Sequence, residues 1–270
     1  MGYYENHFDI KKDRLCPFKL HKATNSLSVP CNWHTNIEIL LVTQGTGMIQ
    51  YGTRHETLAV GDMIAVNSGV LHRPYSQTGI GYYCLIIDEG FCKENGLDVT
   101  VLHLEEKFRD REAEGLYMDV VDKMRGYKND RTPLSGAVLR SAVLSLLIFL
   151  CLKHTQSENV GGTEKSSPVE KHIRRALEYL NERYTQAITL DELAHLCGIT
   201  KCHLAREFKR YTGQTVFTYI NSLRCQLAEL CISEGLSVTE AAYKSGFESL
   251  SYFSRVYKRL MGVPPSGGKA

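Results

Sequence analysis

Two arginines, Arg206 and Arg255, stand at equivalent places in two near-copies of one stretch of this 270-residue chain. A guanidinium fork spans O6 and N7 of guanine, so an arginine repeated on outer helix positions suits base reading in a major groove. Lys201, Cys202, Ala205 and Lys209 accompany Arg206, and Leu250, Ser251, Ser254 and Lys258 accompany Arg255. A second set of reactive types lies near the N-terminus, where His34, Glu38 and later His72 occur. Two imidazoles and one carboxylate can hold one face of a metal such as Fe(II). Nine cysteines are present with no Cys-x-x-Cys pair. That suits reduced thiols in a reducing compartment better than a disulfide framework. Cys202 falls on an outer face of the first copy, where oxidation could alter DNA contact, but no neighbour in sequence marks its thiol as activated.

The two copies read as helix, glycine turn, helix. Glu192, Ala194 and Gly198 match Glu240, Ala242 and Gly246. Beyond one inserted residue, Leu204, Arg206, Phe208, Lys209, Arg210 and Gly213 match Phe253, Arg255, Tyr257, Lys258, Arg259 and Gly262. Thr189-x-x-Glu192 and Ser237-x-x-Glu240 are capping-box patterns that start a helix. Ala194 and Ala242 let a second helix cross closely, and Gly198 and Gly246 allow the sharp turn. The second helices are expected over 201–211 and 250–260, with Leu204 and Phe208 inward in one, Phe253 and Tyr257 in the other. Between them, 216–233 reads as a helix with Phe217, Ile220, Leu223, Leu227, Leu230 and Cys231 inward. Such a helix would set the two recognition helices into adjacent major grooves, ~34 Å apart.

Upstream the pattern changes. Residues 18–88 are expected as β-structure, because 37–42, 47–51, 64–66 and 82–88 are rich in β-branched and aromatic residues. Gly45, Gly52, Gly61, Gly69 and Gly79 punctuate them at turn-like spacing. Many short strands suggest a sandwich or barrel. Residues 111–125 and 134–153 read as helices. The second is apolar nearly all round and must hide more than one face, against the barrel and either a partner subunit or its own subunit. Its most apolar part, 142–152, is too short to span a bilayer. Residues 155–168 are polar, include Gly161 and Gly162, and read as a flexible linker. Net charge is only +2, and from Pro168 onward there are 14 Lys+Arg and 10 Asp+Glu against 18 and 20 before it. This modest basic bias does not carry a DNA claim alone. A composition of 43% hydrophobic and 23% charged residues is ordinary globular material of about two domains. The opening residues are polar and mixed in charge, unlike a signal peptide.

LDELAHLCGITKCHLAREFKRYTG, followed by FTYINSLRCQLAELCISEGLSVTEAAYKSGFESLSYFSRVYKRLMGVPPS, resembles the DNA-binding domain of the AraC/XylS family of regulators, over about residues 167–266. The resemblance implies that Cys202, Ala205 and Arg206 face bases from the first unit, and Leu250, Ser251, Ser254 and Arg255 from the second. Cys202 and Ala205 are small, so beyond Arg206 the first unit is expected to act largely through phosphates. Relatives usually continue after Pro265-Ser266 with an aromatic and an arginine, whereas this chain ends Gly-Gly-Lys-Ala. NWHTNIEILLVTQGTGMIQYG and LAVGDMIAVNSGVLHRP resemble a cupin, marked by His34, Glu38, Gly45, Gly61-Asp62 and His72. In cupin enzymes this pattern supplies metal ligands, but Asn32 stands at the first histidine position here. Regulators of this family commonly sense a small molecule in such a domain without metal. The candidate ligand-binding residues are therefore Trp33, His34, Glu38, Tyr51, His72 and Tyr82, with Tyr83 as a further stacking surface. No metal or other cofactor is expected, His34, Glu38 and His72 being the ligands if one is held. The family also implies that residues 1–20 can fold over the barrel mouth as an arm.

The fold class expected is α+β and multidomain: an N-terminal cupin-like double-stranded β-barrel plus helices, then an all-α domain with two helix-turn-helix motifs. The boundaries expected are 1–110 for the sensor barrel, 111–154 for a helical dimerisation segment, 155–168 for a linker and 169–270 for the DNA-binding domain. The expected function is sequence-specific regulation of transcription, as an activator by the family's leaning. It responds to a small-molecule effector, a sugar if this chain follows the commonest family role. The chain is not expected to be an enzyme; the alternative is a metal-dependent cupin enzyme with an accessory helical domain. Expected partners are double-stranded DNA at direct-repeat-like promoter sites, the effector, a second copy of the chain and RNA polymerase. No membrane is expected, and the setting is the bacterial cytoplasm.

Overall fold

The computed structural model describes residues 13–155 and 167–265, which divide between two compact units. Most of the expected linker (156–166), the first part of the expected arm (1–12) and the C-terminal Gly-Gly-Lys-Ala lie outside the described residues.

The first unit holds β1 (Phe18–Ser28), β2 (Ile37–Tyr51), β3 (Arg54–Ala59), β4 (Met63–Val66), β5 (His72–Ile87), α1 (Glu89–Glu94), β6 (Lys107–Phe108), α2 (Arg111–Asn129) and α3 (Pro133–Lys153). The strands pair antiparallel in the order β1-β5-β2-β4-β6, with β3 on β2. β2 runs through both expected strands 37–42 and 47–51, and β5 runs straight past Gly79. Gly45 and Gly79 are therefore not turns. They lie where these long strands shift register, and a Cβ on Gly45 would stand 2.5 Å from the Gly79 carbonyl oxygen. A bulge with so close a backbone approach needs glycine.

Side chains alternate along β2. Ile37, Ile39 and Leu41 join Met63, Ala65, Leu85 and Ile87 in a core shared with α2 and α3. Glu38, Leu40 and Val42 take the opposite face, and they are buried too. The register explains how. His72 lies opposite Tyr51, and Tyr51 is 13 residues beyond Glu38 in β2, ~40 Å along a straight strand. Yet His72 Nε2 is 3.3 Å from Glu38 Oε2. The sheet must roll on itself to bring them together, and this encloses its second face. Asp62, one of the marks read in sequence, serves this architecture. Its carboxylate accepts from Ala59 N at 2.8 Å and from Arg109 Nε at 2.6 Å.

The expected arm is anchored on helices from residue 13. Tyr127 donates to Asp13 at 2.9 Å, Arg140 donates to the Leu15 carbonyl at 2.8 Å, and Phe18 enters the core as β1 begins. α3 fills the expected helix 134–153 and begins one residue earlier, at Pro133. It has 21 residues with a mean hydropathy of 2.1 in its most apolar window, enough by length and composition to cross a membrane. Packing supplies another reason for that apolarity. Leu139, Val143, Leu146, Leu147 and Leu150 are buried in the same core as Tyr117, Val120, Val121 and Met124 of α2. Leu134, Val138, Ile148 and Leu152 remain exposed.

The second unit holds α4 (Pro168–Arg183), α5 (Leu190–Cys197), α6 (Lys201–Thr212), α7 (Val216–Ser233), α8 (Val238–Lys244) and α9 (Leu250–Met261). α5 with α6, and α8 with α9, are the two helix-turn-helix units. Ser237 and Glu240 form a complete capping box. At Thr189 only the hydroxyl half forms, because the Glu192 carboxylate takes the Tyr179 hydroxyl. α7 departs from its expected single inward stripe. Phe217 and Leu230 are 54% and 53% exposed, while Tyr219, Cys225 and Ala228 are buried. Tyr219 meets Phe208 of α6 and Asn181 of α4, whereas Cys225, Ala228 and Cys231 pack with α8 and α9. A helix with neighbours on several sides buries no single stripe.

Candidate nucleic-acid interface and sensor site

α6 starts on Thr200, whose hydroxyl accepts from His203 N at 3.3 Å. Leu204, Glu207, Phe208 and Tyr211 recur at helical spacing and are buried. Lys201, Cys202, Ala205, Arg206 and Lys209 are consequently exposed. α9 starts on Ser249 and buries Phe253, Val256 and Tyr257. Leu250, Ser251, Arg255 and Lys258 are exposed and Ser254 is half-buried. The candidate readers thus lie off the packed face of each second helix.

Arg206 is held by its own helix. Its Nε donates to Glu207 Oε1 at 3.0 Å, and a terminal nitrogen faces His203 Nδ1 at 3.0 Å. Glu207 also takes Arg210 at 2.6 Å. Burial works to raise the Glu207 carboxyl, but the two guanidiniums prevail and hold it below its usual range. Glu207 was missed in the sequence, although a glutamate on the inward stripe between Leu204 and Phe208 was a legible signal. Among the described residues, Arg255 Nε reaches only the Ser251 carbonyl, at 3.4 Å. Lys201 pairs with Asp191 of α5 at 2.8 Å, an exposed contact that solvent screens. The two helix-turn-helix units are fastened together. Arg224 of α7 donates to the carbonyls of Tyr184 and Gln186, at 2.6 and 2.7 Å. The turn at Gly246 sits against the Thr185 backbone between them.

In the sensor, the rolled sheet gathers His34, Glu38 and His72, which are 7%, 6% and 5% exposed. His34 Nε2 and His72 Nε2 lie 3.1 and 3.3 Å from the same oxygen, Glu38 Oε2. The other carboxylate oxygen accepts from the Cys84 thiol at 3.1 Å. Burial would raise the Glu38 carboxyl, but the two imidazoles hold it well below its ordinary value. For His72, burial acts to lower the pKa and the adjacent carboxylate more than offsets it, so the pKa ends above its ordinary value. The Tyr51 hydroxyl is buried with no hydrogen-bond partner among the described residues. Burial, reinforced by the Glu106 and Glu38 charges, keeps its proton on well above the usual range. Tyr82 is buried, whereas Tyr83 packs against the helix-facing core, with Lys22 over its ring. Adjacent strand residues point to opposite faces, so only one of these tyrosines can look inward. Trp33 is half-buried. All nine cysteines are free thiols, and Cys202 is the exposed one.

Residues 20–133 match a family of AraC-like ligand binding domains, and residues 193–267 match a helix-turn-helix domain family. The chain belongs to the AraC/XylS family of transcription regulators. The uncharacterized regulator YdeC of Bacillus subtilis strain 168 is 24% identical over 251 residues, 88% of this chain and 84% of its own. The transcriptional activator RhaR of Cronobacter sakazakii is 26% identical over 248 residues, 86% of this chain and 83% of its own. An apo ToxT variant from Vibrio cholerae superposes with a TM-score of 0.52 at 18% identity, covering 92% of this chain and 95% of that one. This last likeness concerns the fold alone. The AraC/XylS chain is thus a transcription regulator joining a ligand-binding β-unit to a helical DNA-binding unit, as its sequence indicated.

Proposed function

We propose that α6 and α9 read DNA, with Arg206 and Arg255 on guanine, and that a small molecule inside the sensor changes how a homodimer sits on its sites. One observation carries the DNA half. Two arginines matched in the repeat are exposed on second helices whose opposite faces are buried. Lys201, Lys209 and Lys258 are then placed for phosphates, which set position rather than sequence. The effector half rests on His34, Glu38, Tyr51 and His72 buried in a rolled sheet, with Tyr82 as an apolar wall. A few polar groups converging in an enclosed interior is the usual make-up of a small-molecule site. Such a molecule acts by binding one arrangement better than another.

The xylose operon regulatory protein of Escherichia coli K12 is 28% identical over 104 residues, 38% of this chain and 26% of its own. Its name, with the activator name of RhaR, supports an activator of carbohydrate use that works with RNA polymerase in the cytoplasm and catalyses nothing itself.

Selection of duplexes from a random pool by the full chain tests the reading. The expected motif has two blocks centred about one helical turn, ~10 base pairs, apart. Absence of any enriched motif, with and without a panel of sugars, would defeat it. Arg206→Ala and Arg255→Ala should each weaken the selected site by ~1–3 kcal/mol, about 5- to 150-fold, in equilibrium binding at fixed salt. Equal losses on random DNA would argue against base contact.

A further inference from the structure

The two copies of the repeat differ at the residue that follows the matched arginine. It is Glu207 in α6 and Val256 in α9, and both are buried, at 5% and 2% exposure. Valine suits the packed side of a helix, whereas a carboxylate there is unfavourable unless partners hold it. Its partners are two guanidiniums: Arg206 Nε donates to Oε1 at 3.0 Å, and Arg210 stands 2.6 Å from Oε2. α9 runs Arg-Val-Tyr-Lys-Arg from Arg255 and forms the same second helix, so helix-turn-helix packing does not demand the carboxylate. A buried ion pair also seldom stabilises a fold more than an apolar residue of similar size. Stability therefore gives little reason for Glu207, and the guanidinium it holds gives a better one. The Arg206 side chain is 71% exposed, yet it is gripped at two places. A terminal nitrogen meets His203 Nδ1 at 3.0 Å; a guanidinium only donates, so Nδ1 accepts and the neutral ring carries its proton on Nε2. These contacts occupy two N–H groups of the five on a guanidinium, which leaves the fork with donors for O6 and N7 of a base.

We propose that Glu207 is a positioning residue for DNA reading: it holds the Arg206 guanidinium oriented before DNA arrives, and so sharpens the first unit's choice of base. The proposal rests on the reading of Arg206 as a base contact. An arginine ordered only on binding loses its rotamer freedom at that moment, and one already held loses less. Releasing Arg206 is expected to cost ~2- to 12-fold in affinity for the correct base. The carboxylate has a second effect. It offsets positive charge on α6, and that charge would otherwise strengthen binding to the phosphates of any duplex. Both effects widen the gap between the right site and a wrong one. α9 lacks the device, so the two units should differ in how firmly their arginines are set.

The test measures equilibrium binding of the full chain, at fixed salt, to the selected duplex and to duplexes with one guanine replaced by adenine. The guanine read by the first unit is the one whose replacement Arg206→Ala no longer senses. Glu207→Val gives α6 the buried residue of α9 and should melt close to the wild type. It should lower discrimination at that guanine ~2- to 12-fold and leave discrimination through Arg255 in the second block unchanged. Glu207→Gln keeps an acceptor for Arg206 Nε and should fall between Glu207→Val and the wild type. Unchanged discrimination in Glu207→Val, an equal fall in both blocks, or a melting loss with base preference intact would overturn the proposal. If Arg206→Ala costs the same on every duplex, base reading by Arg206 itself fails. If Arg206→Ala abolishes discrimination and Glu207→Val does not, only the positioning role fails. Proton NMR of the wild type without DNA needs no Glu207 variant to fold. The Nε–H of Arg206 should exchange with water several-fold more slowly than that of Arg255, the two signals being assigned by their loss in Arg206→Ala and Arg255→Ala. Equal exchange would overturn the proposal.

Discussion

Gly246→Ala will destabilise the DNA-binding unit by ~2–5 kcal/mol, and Gly198→Ala by only ~1–2. The two glycines hold matched positions in the repeat, and both have positive φ, +91° and +69°. Both replacements incur the left-handed backbone cost of a Cβ, ~1–2 kcal/mol. Only Gly246 adds a collision. Its Cβ would stand 2.4 Å from the Thr185 carbonyl oxygen and 2.7 Å from Thr185 Cα, whereas nothing lies within 4 Å of a Cβ on Gly198. Backbone cannot swing aside as a flexible side chain can, so an overpacking cost of ~1–3 kcal/mol follows. Arg224 pins the carbonyls on either side of Thr185, which blocks the easy escape. The second turn must therefore move away, and the geometry between the two recognition helices moves with it. Thermal unfolding of the full chain, at ~4–8 °C per kcal/mol for a unit of this size, will separate the variants. Binding to a two-block site should fail for Gly246→Ala at temperatures where Gly198→Ala still binds. Equal melting losses in the two would refute the close-approach argument.

The helical half was legible because its signals are local. The caps at Thr189 and Ser237, the turns at Gly198 and Gly246, and the inward pairs Leu204–Phe208 and Phe253–Tyr257 all depend on residues within one or two turns. Expected bounds of 201–211 and 250–260 became Lys201–Thr212 and Leu250–Met261. Contacts made in the third dimension leave no such local trace. The α7 stripe was assigned one face, but the helix is wedged between neighbours and leaves Phe217 and Leu230 in solvent. Arg224 looked like any charged residue, yet it ties two parts of the domain through backbone carbonyls that no spacing rule can reveal.

The sensor half was legible as β-structure and less so as strands. A glycine marks both a turn and a bulge, so Gly45 and Gly79 were read as chain reversals. The sequence nominated His34, Glu38 and His72 but not their closeness, which comes from a sheet rolling on itself. It could not separate Tyr82 from Tyr83 until the register set their faces. Cys84 was invisible as a partner of Glu38 because it lies 46 residues away.

In the proposed homodimer, Ile148→Asp together with Leu152→Asp is expected to leave the chain a monomer. α3 is buried on one side in the sensor core, which leaves Leu134, Val138, Ile148 and Leu152 exposed, Leu134 and Leu152 at 75% and 80%. With Ser141 and Ser145 these residues step by four, three, four, three and four along the helix, the spacing of a helix–helix seam. In a two-fold dimer every position counts twice. Burying one isoleucine or leucine contributes ~1.5–3 kcal/mol, so losing one position costs about 3–6 kcal/mol, roughly 10²- to 10⁴-fold in dissociation constant. A buried aspartate adds its own desolvation penalty. Sedimentation should show a dimer at micromolar concentration for the wild type and a monomer for the variant; a monomeric wild type would sink the assignment. The DNA consequence separates this change from Gly246→Ala. Each monomer keeps its linked α6 and α9, so the two-block motif should survive with weaker affinity on paired sites. Disruption at Gly246 should instead erase the motif's second block while the chain remains a dimer.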